Sequence, residues 1–80
     1  MNAESLAALL HSKPFRPFRI VTTDGTAYEI RHPEFLMPGR RDAFLGFPHQ
    51  PSAQYYDKFI ILSYLHVQRV ESIDPAPAVG

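Results

Sequence analysis

Asp24-Gly25 stands between two β-rich runs, Phe18 to Thr22 and Thr26 to Arg31, and constrains the fold more than any other feature of the chain. Such a pair flanked by strand formers predicts an antiparallel hairpin. The register follows from the side chains. A two-residue turn would set Ile20 opposite Glu29, mixing a core residue with a charge on one face. A three-residue loop, Thr23-Asp24-Gly25, instead pairs Thr22 with Thr26, Ile20 with Tyr28 and Phe18 with Ile30. It also sets Arg19 opposite Glu29 on the outer face, a favourable cross-strand pair. A slip of one residue inverts every side chain, so the second register is expected, with Gly25 left-handed in a bulge.

The remaining elements are read outward from that hairpin. Asn2 is placed to cap a helix of about nine residues, and Glu4 suits the positive end of its dipole. Ala3, Leu6, Ala7, Leu9 and Leu10 make one apolar stripe. Pro14 ends the run, and a helix this short must dock on something to persist. Pro14-Phe15-Arg16-Pro17-Phe18 reads as the stiff link between helix and sheet, with Phe15 and Phe18 buried. Arg31-His32-Pro33-Glu34 closes the second strand, Pro33 starting a single helical turn, and Pro38-Gly39 marks a turn. A third strand is expected near Asp42 to Phe47, with Ala43, Leu45 and Phe47 on one face. Residues 48–54 hold turn formers and read as a mobile loop. The fourth strand, Tyr56 to Ser63, contains Phe59-Ile60-Ile61-Leu62, apolar on both faces, and is expected to be central or covered by the helix. A tight connection at Tyr64-Leu65 leads to a fifth strand, His66 to Ile73. The sum is an α+β chain, mainly β: an N-terminal helix, then a strongly bent five-stranded antiparallel sheet or partly open barrel. One domain over 1–74 and a flexible tail over 75–80 are expected.

Composition supports this and excludes several functions. Among 80 residues there is no cysteine, so neither a disulfide framework nor a thiolate metal site holds the chain together. Packing must do so, and 45% hydrophobic residues, with six Phe and four Tyr, supply the material. No apolar run approaches the roughly 18 residues of a membrane span. Met1-Asn2-Ala3-Glu4 carries no basic region ahead of Leu6 to Leu10, so no signal peptide is read there, and a cytoplasmic setting is expected. Formal net charge is zero, but residues 11–41 carry six basic against three acidic side chains, so a local basic surface stays open.

The four histidines, His11, His32, His49 and His66, do not fall at ligand spacing, and only His32 and Glu34 are near neighbours. No metal and no cofactor are therefore expected. Ser5, Ser12, Ser52, Ser63 and Ser72 lack a glycine elbow, and the four glycines form no phosphate-cradling loop. The chain reads as a non-enzyme. Gly39-Arg40-Arg41-Asp42 places two arginines at a turn, where they can reach phosphate or carboxylate; the plain alternative is a solvated pair whose side chains diverge.

Two resemblances rest on these residues. Pro14-Phe15-Arg16-Pro17-Phe18-Arg19-Ile20, Asp24-Gly25, Tyr28-Glu29-Ile30-Arg31-His32-Pro33-Glu34 and Leu65-His66-Val67 look like a family of small uncharacterised bacterial proteins. More distantly, a helix followed by five bent strands with a tight turn before the last resembles the Sm-like fold of Hfq-type RNA-binding proteins, related in shape to SH3 barrels. Tyr64-Leu65-His66-Val67 resembles their Tyr-Lys-His-Ala signature: Tyr64 and His66 match, Leu65 stands at the lysine and Val67 at the small residue. That resemblance implies His66 contacting a nucleotide at a ring pore, with Tyr64 supporting it. The expectation is a small non-enzymatic binding module for RNA, with Tyr64, His66, Arg40, Arg41 and His32 as candidate RNA-binding residues. It self-associates through sheet edges as a dimer or ring. The alternative is a protein–protein adaptor or structural component that has kept the fold and lost RNA binding.

Overall fold

A computed structural model of the protein describes residues 1–48 and 56–73. Strand β1 (Phe18–Thr22) and strand β2 (Ala27–Ile30) pair with Phe18 opposite Ile30, Arg19 opposite Glu29 and Ile20 opposite Tyr28, as expected. Gly25 has φ of 89°, the left-handed conformation that other residues resist. The Asp24 carboxylate organises the loop, accepting from Thr22 Oγ1 at 2.5 Å and from Thr26 N at 3.0 Å. Both bonds favour the charged form, the Thr22 bond most, and hold the Asp24 carboxyl at about 2 against its ordinary 3.8.

Helix α1 (Ala3–Leu10) starts at Asn2, whose side chain accepts from Ser5 N at 2.7 Å. After the hairpin come β3 (Leu36–Pro38), β4 (Asp42–Pro48), β5 (Tyr56–Ser63) and β6 (Val67–Ser72). These form two three-stranded antiparallel sheets, β2-β1-β6 and β3-β4-β5, where the sequence led us to expect one five-stranded sheet. The reason is Pro33. It lacks a backbone donor and has helical φ, so a 3-10 turn at Pro33–Phe35 divides what would be one long bent strand. The chain resumes as β3, a strand the sequence showed only as a preface to the Pro38-Gly39 turn. A second 3-10 turn, Tyr64–His66, is capped by Ser63 Oγ accepting from Leu65 N at 3.2 Å, and it delays β6 to Val67. β6 then pairs with β1, so β1 is the centre of its sheet.

One core draws on the helix and both sheets: Leu6 and Leu10, Phe18, Ile20 and Ile30, then Leu36, Ala43, Leu45, Leu62 and Tyr64. Phe15 is half-buried against it, its ring 6.1 Å from that of Phe18. The helix stripe is narrower than expected. Leu6 and Leu10, one turn apart, are buried, whereas Leu9 is 36% exposed. β5 also departs from expectation. It is an edge strand, not a central one, because β6 crosses to the other sheet and no described strand lies on β5's far side. Leu62 faces the core, while Phe59 and Ile61 are 58% and 61% exposed. Among the described residues no helix is long and apolar enough to cross a membrane. Apart from Pro48, which ends β4, the expected 48–54 loop lies outside the described residues, as does the 75–80 tail.

Two outcomes follow for the hairpin. A Cβ at Gly25 meets nothing within 4 Å, so Gly25→Ala carries only the left-handed backbone penalty. Denaturant unfolding should show a loss of about 1–2 kcal/mol. Because the folded Asp24 carboxyl titrates below its unfolded value, its stabilisation is complete above about pH 4 and is lost as pH falls through about 2. Asp24→Asn should flatten that acid segment of the melting-temperature profile, and an unchanged slope would remove the loop carboxylate from the account.

Candidate functional site

The turn between β3 and β4 is built by close approach. Gly39 N donates to Asp42 O at 2.7 Å, and a Cβ on Gly39 would stand 2.9 Å from that same oxygen. Tyr64 fastens this turn to the 3-10 turn ahead of β6, its hydroxyl donating to Gly39 O at 2.7 Å and its amide to Arg41 O at 3.0 Å. Burial pushes the Tyr64 hydroxyl above its ordinary pKa, and the nearby Asp42 carboxylate pushes the same way. The outcome is a cleft of about 500 Å³ bordered by Arg40, Arg41, Asp42, Ser63, Tyr64 and Leu65, with Met1 and Asn2 at its rim. Arg40 and Arg41 are exposed there, with no ion pair among the described residues.

The structure thus brings Arg40, Arg41 and Tyr64 together, although Tyr64 is buried and presents no ring face to a base. His66 is exposed at the end of the same turn but outside the cleft lining, and its carbonyl accepts from Thr23 N at 2.8 Å. Leu65 is 89% exposed. His32 belongs to a different group: its ring meets Phe35 edge-on at 5.0 Å, and Phe35 meets Tyr56 at 6.4 Å. His49 lies outside the described residues. Among those described, no three His, Cys, Asp or Glu side chains form a metal-binding group.

The outer face of β2-β1-β6 is a ladder of alternating charge. Arg19 lies between Glu29 at 3.1 Å and Glu71 at 3.0 Å, while Arg31 meets Glu29 at 3.0 Å and Arg69 meets Glu71 at 2.5 Å. The facing arginines lower the pKa of both glutamates. Exposed, solvent-screened pairs of this kind add little stability, but they do neutralise Arg19, Arg31 and Arg69 as ligands for an outside anion.

The outer face of β3-β4-β5 has the opposite character. Register sets Met37, Phe44 and Ile61 in one row and Gly46 opposite Phe59 in the next. The Phe44 and Phe59 rings stack at 5.0 Å and 15°. Met37 is 69% exposed, so the row forms an apolar strip that runs to the β5 edge. At its end Tyr56 lies over Gly46, where a Cβ would come within 2.8 Å of the ring, and the Tyr56 hydroxyl donates to Glu34 O at 2.6 Å. A groove of about 350 Å³ continues from Met37, Phe44 and Tyr56 to Leu10 and His11 of α1. Sequence reasoning places Phe59 and Ile61 at an edge-strand interface but misses that Met37 and Phe44 join them in one strip. Phe44 was legible as outward, since Ala43 and Leu45 point in, but its alignment with Met37 and Ile61 depends on strand pairing.

Fold and surfaces together define a small, mostly β, α+β domain with one charged outer face, one apolar outer face and one arginine-lined cleft. Compared with known proteins, no protein family, no curated protein and no solved structure matches this chain.

Proposed function

We propose that this protein is a non-enzymatic binding module of Sm-like or SH3-like type that works by joining other chains, copies of itself first, through its β3-β4-β5 sheet. One observation carries the reading: an apolar strip, with Phe59 58% and Ile61 61% exposed, ends on a strand whose far edge is unpaired among the described residues. Exposed apolar patches and open edges both mark surfaces that other chains cover. The barrel reading is supported by strand order, since β6-β1-β2 continues through the Pro33–Phe35 turn into β3-β4-β5. A short turn before the final strand and a leading helix fit it too.

RNA binding is the second reading, favoured by Arg40 and Arg41, which border a cleft beside the turn that carries His66. RNA recognition needs phosphate contacts beside stacking surfaces. The exposed aromatic strip is built from other strands than this cleft, so the adaptor reading stands first. His32, set against Phe35, adds nothing to either.

Light scattering at micromolar concentration should give a mass above the 9.1 kDa of one chain. Replacing Phe59 and Ile61 together by glutamate should return a folded chain of that single mass; a clean wild-type monomer would overturn self-association. For RNA, uridine-rich and adenine-rich oligonucleotides titrated at low and high salt should bind more weakly as salt rises. Arg40→Ala and Arg41→Ala should each reduce the salt slope by about one. No binding at low salt would leave the adaptor reading alone.

A further inference from the structure

We infer that the copy covering the β5 edge is joined across a two-fold axis through Ile60, by antiparallel pairing of β5 with the partner's β5; this rests on the self-association proposed above. Among the described residues β5 is hydrogen-bonded to β4 along one side only, so the backbone groups of alternate residues on its other side match another extended strand. Opposed residues in an antiparallel pair share a face, and here the faces differ sharply. Phe59 and Ile61 point out, whereas Ile60 is half-buried and Leu62 faces the core. Outward residues must therefore meet outward residues. For two copies of one strand, that makes the axis pass through a residue rather than between two.

Three positions keep both apolar residues inside the paired stretch. An axis at Phe59 sets Asp57 opposite the partner's Ile61, a charge against an apolar side chain. An axis at Ile61 sets Phe59 opposite the partner's Ser63. Only an axis at Ile60 sets Phe59 opposite the partner's Ile61 and Ile61 opposite the partner's Phe59, two aromatic–aliphatic pairs of the kind that stabilise sheets. It also sets Asp57 opposite the partner's Ser63, and Lys58 opposite the partner's Leu62, whose side chain is already buried in its own core. A formal net charge of zero means that identical copies do not repel at long range. The product is a six-stranded sheet whose two Phe44–Phe59 stacks lie side by side across the axis. Closed two-fold symmetry uses each edge once and leaves β6 outside the interface.

The chain has no cysteine, so introduced thiols report pairing without background. Opposed residues in antiparallel strands lie about 4.5–5.5 Å apart at Cα, within disulfide range. An equimolar mixture of full-length Phe59→Cys and Ile61→Cys chains, both at exposed positions, should oxidise to a covalent species of doubled mass that neither chain forms alone. Ile60→Cys by itself should do the same, while Val70→Cys on β6 should not. If wild-type protein is oligomeric by light scattering but the mixture and Ile60→Cys both stay uncross-linked, the two-fold pairing is overturned and self-association stands. If wild-type protein is a monomer, both fall.

Discussion

Pro33 has no amide hydrogen and a φ confined near the helical value, so the strand that begins at Ala27 cannot run through it with its ladder intact. The chain takes one 3-10 turn and re-forms as β3 at Leu36, now bonded to β4 instead of β1. That single missing donor separates the sheet into two. It leaves β1 between β2 and β6, and it leaves β4 between β3 and β5. It also decides which residues close the core, because Ile30 enters from one sheet and Leu36 from the other to meet Leu6 and Leu10 of the helix.

The division gives each sheet its own outer chemistry. On β2-β1-β6, pairing across strands at Arg19 and along them at Arg31 and Arg69 joins these arginines with Glu29 and Glu71 into an electrostatic ladder that has little left for a ligand. On β3-β4-β5, the same pairing rule lines up Met37, Phe44, Phe59 and Ile61, and nothing in the described chain covers them. Unbalanced surface is where binding free energy is available, because burying an apolar strip releases about 25 cal/mol per Å², whereas prising apart satisfied ion pairs returns little. This contrast places interaction ahead of electrostatics, and it ranks Arg40 and Arg41, which lie outside the ladder and border the cleft, second.

Tyr64 is a structural residue that still shapes a site. Its ring fills the core, and its hydroxyl and amide bind Gly39 O and Arg41 O. The Arg40-Arg41 turn is thereby pinned to the turn that carries Leu65 and His66. A phenylalanine would keep the packing and lose one of the two clamps. What the side chain offers to a ligand is position and not contact.

The hairpin register, Gly25's left-handed backbone, the Asn2 cap and the inward set Ala43, Leu45 and Phe47 were all legible in the sequence, since each depends on residues within a few positions or on alternation along one strand. Leu9 was misplaced because an apolar residue on a short helix is buried only if a sheet lies beneath it, and the sheet reaches Leu6 and Leu10. Phe59-Ile60-Ile61-Leu62 reads as central or helix-covered for a related reason: a run apolar on both faces has the same pattern whether two layers cover it or one. Only tertiary structure, by sending β6 across to β1, made β5 an edge and exposed half of that run. Local chemistry determined the turns, caps and strand faces of this protein; which strands became neighbours, and so which apolar face stayed open, was decided by long-range pairing that no single segment encodes.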